Sequence, residues 1–307
     1  MAVDQSYSSQ YVMAGALQQR WDGIDLSTLL ALERIDDGLS RSRFCEDNRN
    51  GRVFGGQMLG QALVAAQGSV DAQRTPTALR VLFMQGALSN WGIDYHTEIL
   101  QEGKRFSSRR VTARQEGRLL IDANVTFQLP EEGYEHVLPA FDAVPGPEEL
   151  QSMSELNTAG NLLADGVAIN WTSFEKSCLE LKVVAPEQHL NHCSSAPKMS
   201  FWVRLRQRLN DDPAVHTAAL AYLSDYWVNS AAVTQHVPAG LAHGQLYIAS
   251  LNHALWLHRF GRADEWLLFS TESPSAQGGR ALTNGRIYSR EGVLLASLAQ
   301  ECLMTRR

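Results

Sequence analysis

Hydrophobic and polar positions repeat one pattern twice along this chain. Over residues 56–70 the apolar and small residues Met58, Leu59, Ala62, Leu63, Ala65 and Ala66 recur at three- and four-residue spacing, which predicts a helix with one buried stripe. Four apolar or alternating runs follow, at 78–88, 93–100, 105–114 and 119–129, broken at Gly92, Glu102-Gly103 and Glu116-Gly117. Glycine beside a polar residue suits the tight turns of a hairpin, so an antiparallel meander is expected. From residue 198 the order recurs. A strand at 200–208 carries alternating Arg204, Arg206 and Arg208, and a helix is expected over 214–226 with Ala218, Ala219, Leu220, Ala221 and Leu223. Strands are expected at 246–259, 265–273, 280–289 and 293–304, with turns at Gly261, Gly278-Gly279 and Glu291-Gly292. A helix followed by a meander, twice, predicts an α+β fold of two tandem modules, 24–130 and 198–307. The Pro-rich residues 131–197 join them as a long connection.

Composition narrows the function classes only a little. The chain has 307 residues, 44% of them apolar, enough for one large core or two ordinary domains. A formal net charge of -6 gives no global pull toward nucleic acid or an anionic membrane. No apolar run is long enough to span a bilayer. Residues 1–19 are polar and Ser/Gln-rich, without the basic and apolar regions of a secretory signal, and Met304-Thr305-Arg306-Arg307 is not a Ser-Lys-Leu address. A cytoplasmic location is therefore expected. Cys45, Cys178, Cys193 and Cys302 are scattered, which signals neither a disulfide framework nor a zinc site.

Four polar residues stand out against apolar surroundings. Ser250 and Asn252 interrupt an apolar strand, and their two-residue spacing places them on one face of a regular strand. Asp225 ends the second helix, in Leu223-Ser224-Asp225-Tyr226-Trp227. A carboxylate there opposes the helix macrodipole, and burial would raise its pKa toward that of a useful general base. An exposed Asp at a frayed helix end fits the same residues. Gln300 is one of few polar positions in the final strand; it could position a water or a carbonyl, or simply bond to a sheet edge. His253 and His258 lie an odd number of residues apart, so they face opposite ways on a regular strand and no metal site is expected. Gly-x-Ser-x-Gly is absent, which argues against a covalent serine mechanism. Gly55-Gly56 lacks the ending of a phosphate loop and reads as a close-packing device at a helix start. Arg105, Arg109, Arg110, Arg280 and Arg286 could each meet phosphate or a solvated sheet face.

Several ordered motifs together resemble the acyl-CoA thioesterase II (TesB-like) family. They are Arg52-Val53-Phe54-Gly55-Gly56-Gln57 with Gly60-Gln61-Ala62-Leu63, Phe106-Ser107-Ser108-Arg109-Arg110-Val111, Ser224-Asp225, His253 with Trp256, Glu265-Trp266-Leu267-Leu268 and Ala299-Gln300-Glu301. The resemblance runs from about residue 30 to residue 304 and is weakest in the connection. It implies a double hotdog fold, hydrolysis of acyl-CoA to free acid and CoA without a cofactor or metal, and assembly as a homodimer or homotetramer. It also implies a catalytic trio of Asp225, Ser250 and Gln300, with a water activated by Asp225 and positioned by the other two. Gly55, Gly56, Arg109, Asn252 and Arg280 are expected near substrate. Two departures from the family pattern are Asn252, where an Asp is usual, and Leu79-Arg80-Val81, where a His-Ser pair is usual. Two alternatives stay open: another acyl-CoA hotdog reaction such as enoyl-CoA hydration, and acyl-CoA binding without turnover.

Overall fold

The computed structural model describes residues 13–48, 51–137, 144–158 and 169–307. Most of the polar N-terminal stretch and parts of the connection, Pro139 among them, lie outside these residues. Twelve antiparallel strands form one sheet: β1 (Leu32–Asp36), β2 (Leu39–Ser42), β3 (Thr75–Phe83), β4 (Asp94–Glu102), β5 (Phe106–Gln115), β6 (Arg118–Gln128), β7 (Leu179–Val183), β8 (Lys198–Leu205), β9 (Leu246–Leu257), β10 (Leu267–Gln277), β11 (Arg280–Tyr288) and β12 (Leu294–Arg306). Their order across the sheet is β1-β2-β4-β5-β6-β3-β9-β12-β11-β10-β8-β7. Counted outward from the β3–β9 seam, the two halves have the same strand order, so the duplication expected from the sequence is a topological fact. The seam itself is antiparallel, with Leu79 opposite Leu255 and Val81 opposite His253. Each half wraps its sheet around a helix, which is the double hotdog arrangement.

Most expected elements appear with shifted ends, and β7 is an addition. It lies inside the connecting segment yet pairs with β8 and closes the edge of the C-terminal half. The turn chemistry matches the sequence reading. Glu116 and Gly117 both take positive φ (50° and 77°) between β5 and β6, as do Gly278 and Gly279 (59° and 75°) between β10 and β11. Positive φ at both central residues matches the right-handed twist of the flanking strands.

The first core helix is Gly55–Gln67 and the second is Pro213–Leu223. The sequence reading took Gly55-Gly56 as a close-packing device without naming what packs there. The glycines face the second helix. A Cβ on Gly56 would lie 2.3 Å from the Tyr222 carbonyl oxygen, and one on Gly60 would lie 3.0 Å from that of Ala218. Moving four residues forward on one helix moves four back on the other, so the helices run antiparallel at backbone contact. This packing sets the N-terminus of the first helix against the C-terminus of the second. Their apolar faces join Leu59, Leu63, Leu220 and Leu223 to Val125, Phe127, Phe201 and Phe269 in one core shared by both halves.

Candidate active site

Asp225 follows the C-terminus of the second helix, and the helix pairing brings it to the first turn of the first. A Cβ on Gly55 would lie 2.5 Å from Asp225 Oδ2. The first helix begins after Phe54, which gives it no side-chain cap. The Asp225 carboxylate fills that role from the other half of the molecule by accepting the Gly56 backbone N–H. Trp227 then turns the chain away with φ of 59°, an uncommon conformation for a bulky residue.

Two strands complete the cluster. Gln300 Nε2 on β12 donates to Asp225 Oδ1 at 2.8 Å and to Ser250 Oγ at 3.1 Å. The Ser250 hydroxyl on β9 donates to the same carboxylate oxygen at 3.1 Å. Asp225 is 8% exposed, and Gln300 is fully buried. Burial pushes the Asp225 carboxyl up from 3.8 to about 6, against the opposing effects of its hydrogen bonds to Gln300 and Ser250, the nearby Lys176 charge and the Gly56 N–H. The structure thus brings Asp225, Ser250, Gln300, Gly55 and Gly56 together.

Asn252 does not join them, and the strand shows why. Along β12, Glu301 and Cys302 are consecutive, but their partners on β9 are Asn252 and Ser250. Leu251 is the extra residue of a β-bulge, which reverses the alternation of faces. Ser250 therefore shares the inner face with His253, three residues away, and Asn252 faces outward. Asn252 Nδ2 donates to Glu301 Oε2 at 2.7 Å, and Arg280 pairs with the other oxygen of Glu301 at 2.9 Å. The expectation that Ser250 and Asn252 share a face fails because that count assumed an unbroken strand. Arg109 is also elsewhere. It is 1% exposed and donates to Ser69 Oγ, to the carbonyls of Ser69, Gln101 and Ser108, and to the Glu102 carboxylate.

A cavity of about 1390 Å³ opens in front of the cluster, lined by Asp225, Ser250, Gly55, Phe54, Phe83 and Lys176 among others. Lys176 was not legible in the sequence. Its ammonium lies 3.7 Å from the centroid of the Phe54 ring and 2.5 Å from Glu46 Oε1. Tyr222 OH donates to the other Glu46 oxygen at 2.8 Å. These four residues are scattered along the chain, and no local pattern joins them. Arg20, Arg52 and Arg307 also line the cavity. A smaller space of about 150 Å³ opens off it, lined by Trp227, Val233, Ala239, Ala242 and Ile248 as well as Asp225. Among the described residues no cluster of His, Cys, Asp and Glu is arranged to hold a metal, and no helix is long and apolar enough to cross a membrane.

The fold is a double hotdog, and comparison with known proteins gives the class and the family. Residues 175–303 match the family described as acyl-CoA thioesterase, and residues 46–128 match the acyl-CoA thioesterase N-terminal domain. The chain is 33% identical over 284 residues to acyl-coenzyme A thioesterase 8 of Mus musculus, covering 90% of this chain and 87% of that one. It is 31% identical to acyl-CoA thioesterase 2 of Haemophilus influenzae over 91% of this chain and 96% of the other. Among solved structures, acyl-CoA thioesterase II TesB2 from Mycobacterium marinum superposes with a TM-score of 0.74 at 30% identity, covering 91% and 96% of the two chains. This chain belongs to the acyl-CoA thioesterase family, enzymes that hydrolyse acyl-CoA thioesters.

Proposed function

We propose that this enzyme hydrolyses acyl-CoA by direct attack of water on the thioester carbonyl, with Asp225 as general base. The carrying observation is that Asp225 and Ser250 line the large cavity while the buried Gln300 amide is bonded to both from behind. In this reading Asp225 takes the proton of the attacking water, and Ser250 and Gln300 hold that water in line with the carbonyl. The base bonded to the Ser250 hydroxyl is the Asp225 carboxylate, which this reading assigns to the water. The imidazole on the same face as Ser250, His253, is bonded to Gln300 and Ser224 instead. The cavity exceeds the roughly 300–1,000 Å³ usual for drug-sized ligands, in keeping with a bulky nucleotide thioester. Arg20, Arg52, Lys176 and Arg307 supply cationic groups along its wall for the phosphates of CoA.

A base must be deprotonated to act. With the Asp225 carboxyl at about 6, kcat/KM should fall about tenfold per pH unit below that value and level off above it. A profile flat from pH 5 to 8 in steady-state thiol-release assays would sink this assignment. Thiol release also separates hydrolysis from enoyl-CoA hydration, which consumes the enoyl absorbance without freeing CoA, and from binding without turnover.

The apolar side space is the place this reading gives to the acyl chain. Ala242→Leu adds three carbons to its wall. Activity should drop more steeply for long acyl chains than for short ones across an acyl-CoA series. An equal drop at every length would place the chain elsewhere.

A further inference from the structure

Gln300 is held by a buried pair of residues that line neither of the two spaces beside Asp225. A carboxylate only accepts hydrogen bonds, so the amide nitrogen of Gln300 must face Asp225 and its oxygen must face away. That oxygen meets His253 Nδ1 at short hydrogen-bond distance. An amide oxygen cannot donate, so Nδ1 carries the proton. Burial pushes the His253 imidazole down to about 4, so the ring is neutral near pH 7 and its Nε2 is bare. The donor within reach of Nε2 is the Ser224 hydroxyl at 2.9 Å, whose single proton is shared with the Ala221 carbonyl at 2.7 Å. Ser224, His253 and Gln300 are each no more than 1% exposed. The chain of donation therefore runs one way: Ser224 hydroxyl to His253, His253 to Gln300, Gln300 to Asp225 and Ser250.

We propose that His253, supported by Ser224, is a positioning residue for this hydrolysis, fixing the amide of Gln300 with its nitrogen toward Asp225. The proposal rests on the water-attack reading above and deepens it. Without the imidazole donor, the Gln300 oxygen loses its partner, and the amide is free to turn over. A turned amide points its oxygen at the Asp225 carboxylate. That removes a stabilising donor from the charged form and raises the pH at which the base becomes available. It also withdraws the donor to Ser250. The titratable groups facing Asp225 are Lys176 across the cavity and Cys302 on β12. Glu46 stands behind Lys176.

The test uses the full-length enzyme and two substitutions. His253→Leu removes the donor. His253→Asn keeps a side-chain N–H near the position of Nδ1. In the leucine variant kcat should fall about 10- to 100-fold, the scale of a misplaced reacting group, with KM little changed and the acidic limb of the kcat/KM profile moved to higher pH. The asparagine variant should recover most of the rate and the wild-type limb. A folded leucine variant with wild-type kcat and limb overturns the proposal, as does an asparagine variant no better than leucine. If neither folds, ¹⁵N NMR of the wild-type imidazoles decides. One buried ring should stay neutral and protonated at Nδ1 from pH 5 to 8, and a proton at Nε2 refutes the relay. That readout does not depend on Asp225 being the base, so the two readings can fail separately.

Discussion

Asp225→Asn should abolish most of the thioesterase activity and at the same time make the folded protein relatively more stable at neutral pH than in acid. The activity loss expected from removing a general base is about 10²–10⁴-fold. The stability effect follows from the same desolvation. The Asp225 carboxyl titrates at about 6 in the folded protein against an ordinary value of 3.8. Between those pH values the folded state binds more protons than the unfolded state, so stability falls as pH rises through that window. About two pH units correspond to about 3 kcal/mol, present below pH 4 and lost by pH 7. The substituted amide has no such titration. Either of its orientations sets a donor against another donor, Gly56 N–H or Gln300 Nε2, and that fixed cost is the same at every pH. The measurement is denaturant unfolding of both proteins at pH 4 and pH 8. The difference in unfolding free energy, variant minus wild type, should grow by about 3 kcal/mol from acid to base. A constant difference would mean that Asp225 is not desolvated in solution, and a near-wild-type rate would remove it from the mechanism.

Gly56→Ala should be among the most damaging single-methyl additions to this fold. The new Cβ would lie 2.3 Å from the Tyr222 carbonyl oxygen and 2.4 Å and 2.9 Å from atoms of the Phe54 ring. Overpacking costs about 1–3 kcal/mol where neighbours can shift. Here one neighbour is backbone at the antiparallel helix contact, which places the cost at the upper end or beyond. Gly56 is the second residue of the helix, where Gly→Ala gains less than the ~1 kcal/mol of a helix interior, so a net loss of about 2 kcal/mol or more is expected. Activity should fall as well, because the same contact sets the Gly56 N–H against Asp225. Gly68→Ala is the control, since a Cβ there comes no closer than 3.6 Å to its neighbours. Its midpoint of unfolding should match or exceed wild type. If Gly56→Ala matched that control, the two helices would not be at backbone contact in solution.

Much of the fold was legible because its signals are local. Helical spacing at Met58, Leu59 and Leu63 and glycine pairs at the turns act over a few residues, and the same local order occurs twice. β7 was missed because Leu179–Val183 is a short run inside a Pro-rich segment whose overall composition reads as connection. The glycines of the first helix were read as devices for close packing, but their partner, the second helix, was not named. Spacing within one helix says which residues share a face and not what that face meets.

The sequence by itself determined the elements, the duplication and the residue types at the site, since periodicity, turn chemistry and ordered motifs are properties of neighbours along the chain. Tertiary structure alone decided how those residues meet. Antiparallel packing of Gly56 on Tyr222 puts the Gly56 N–H on Asp225. The bulge at Leu251 turns Ser250 inward and Asn252 outward. Cross-strand register sets His253 beside Gln300. A bulge depends on the partner strand, and a helix contact on a surface more than a hundred residues away, so neither leaves a pattern that spacing alone can read.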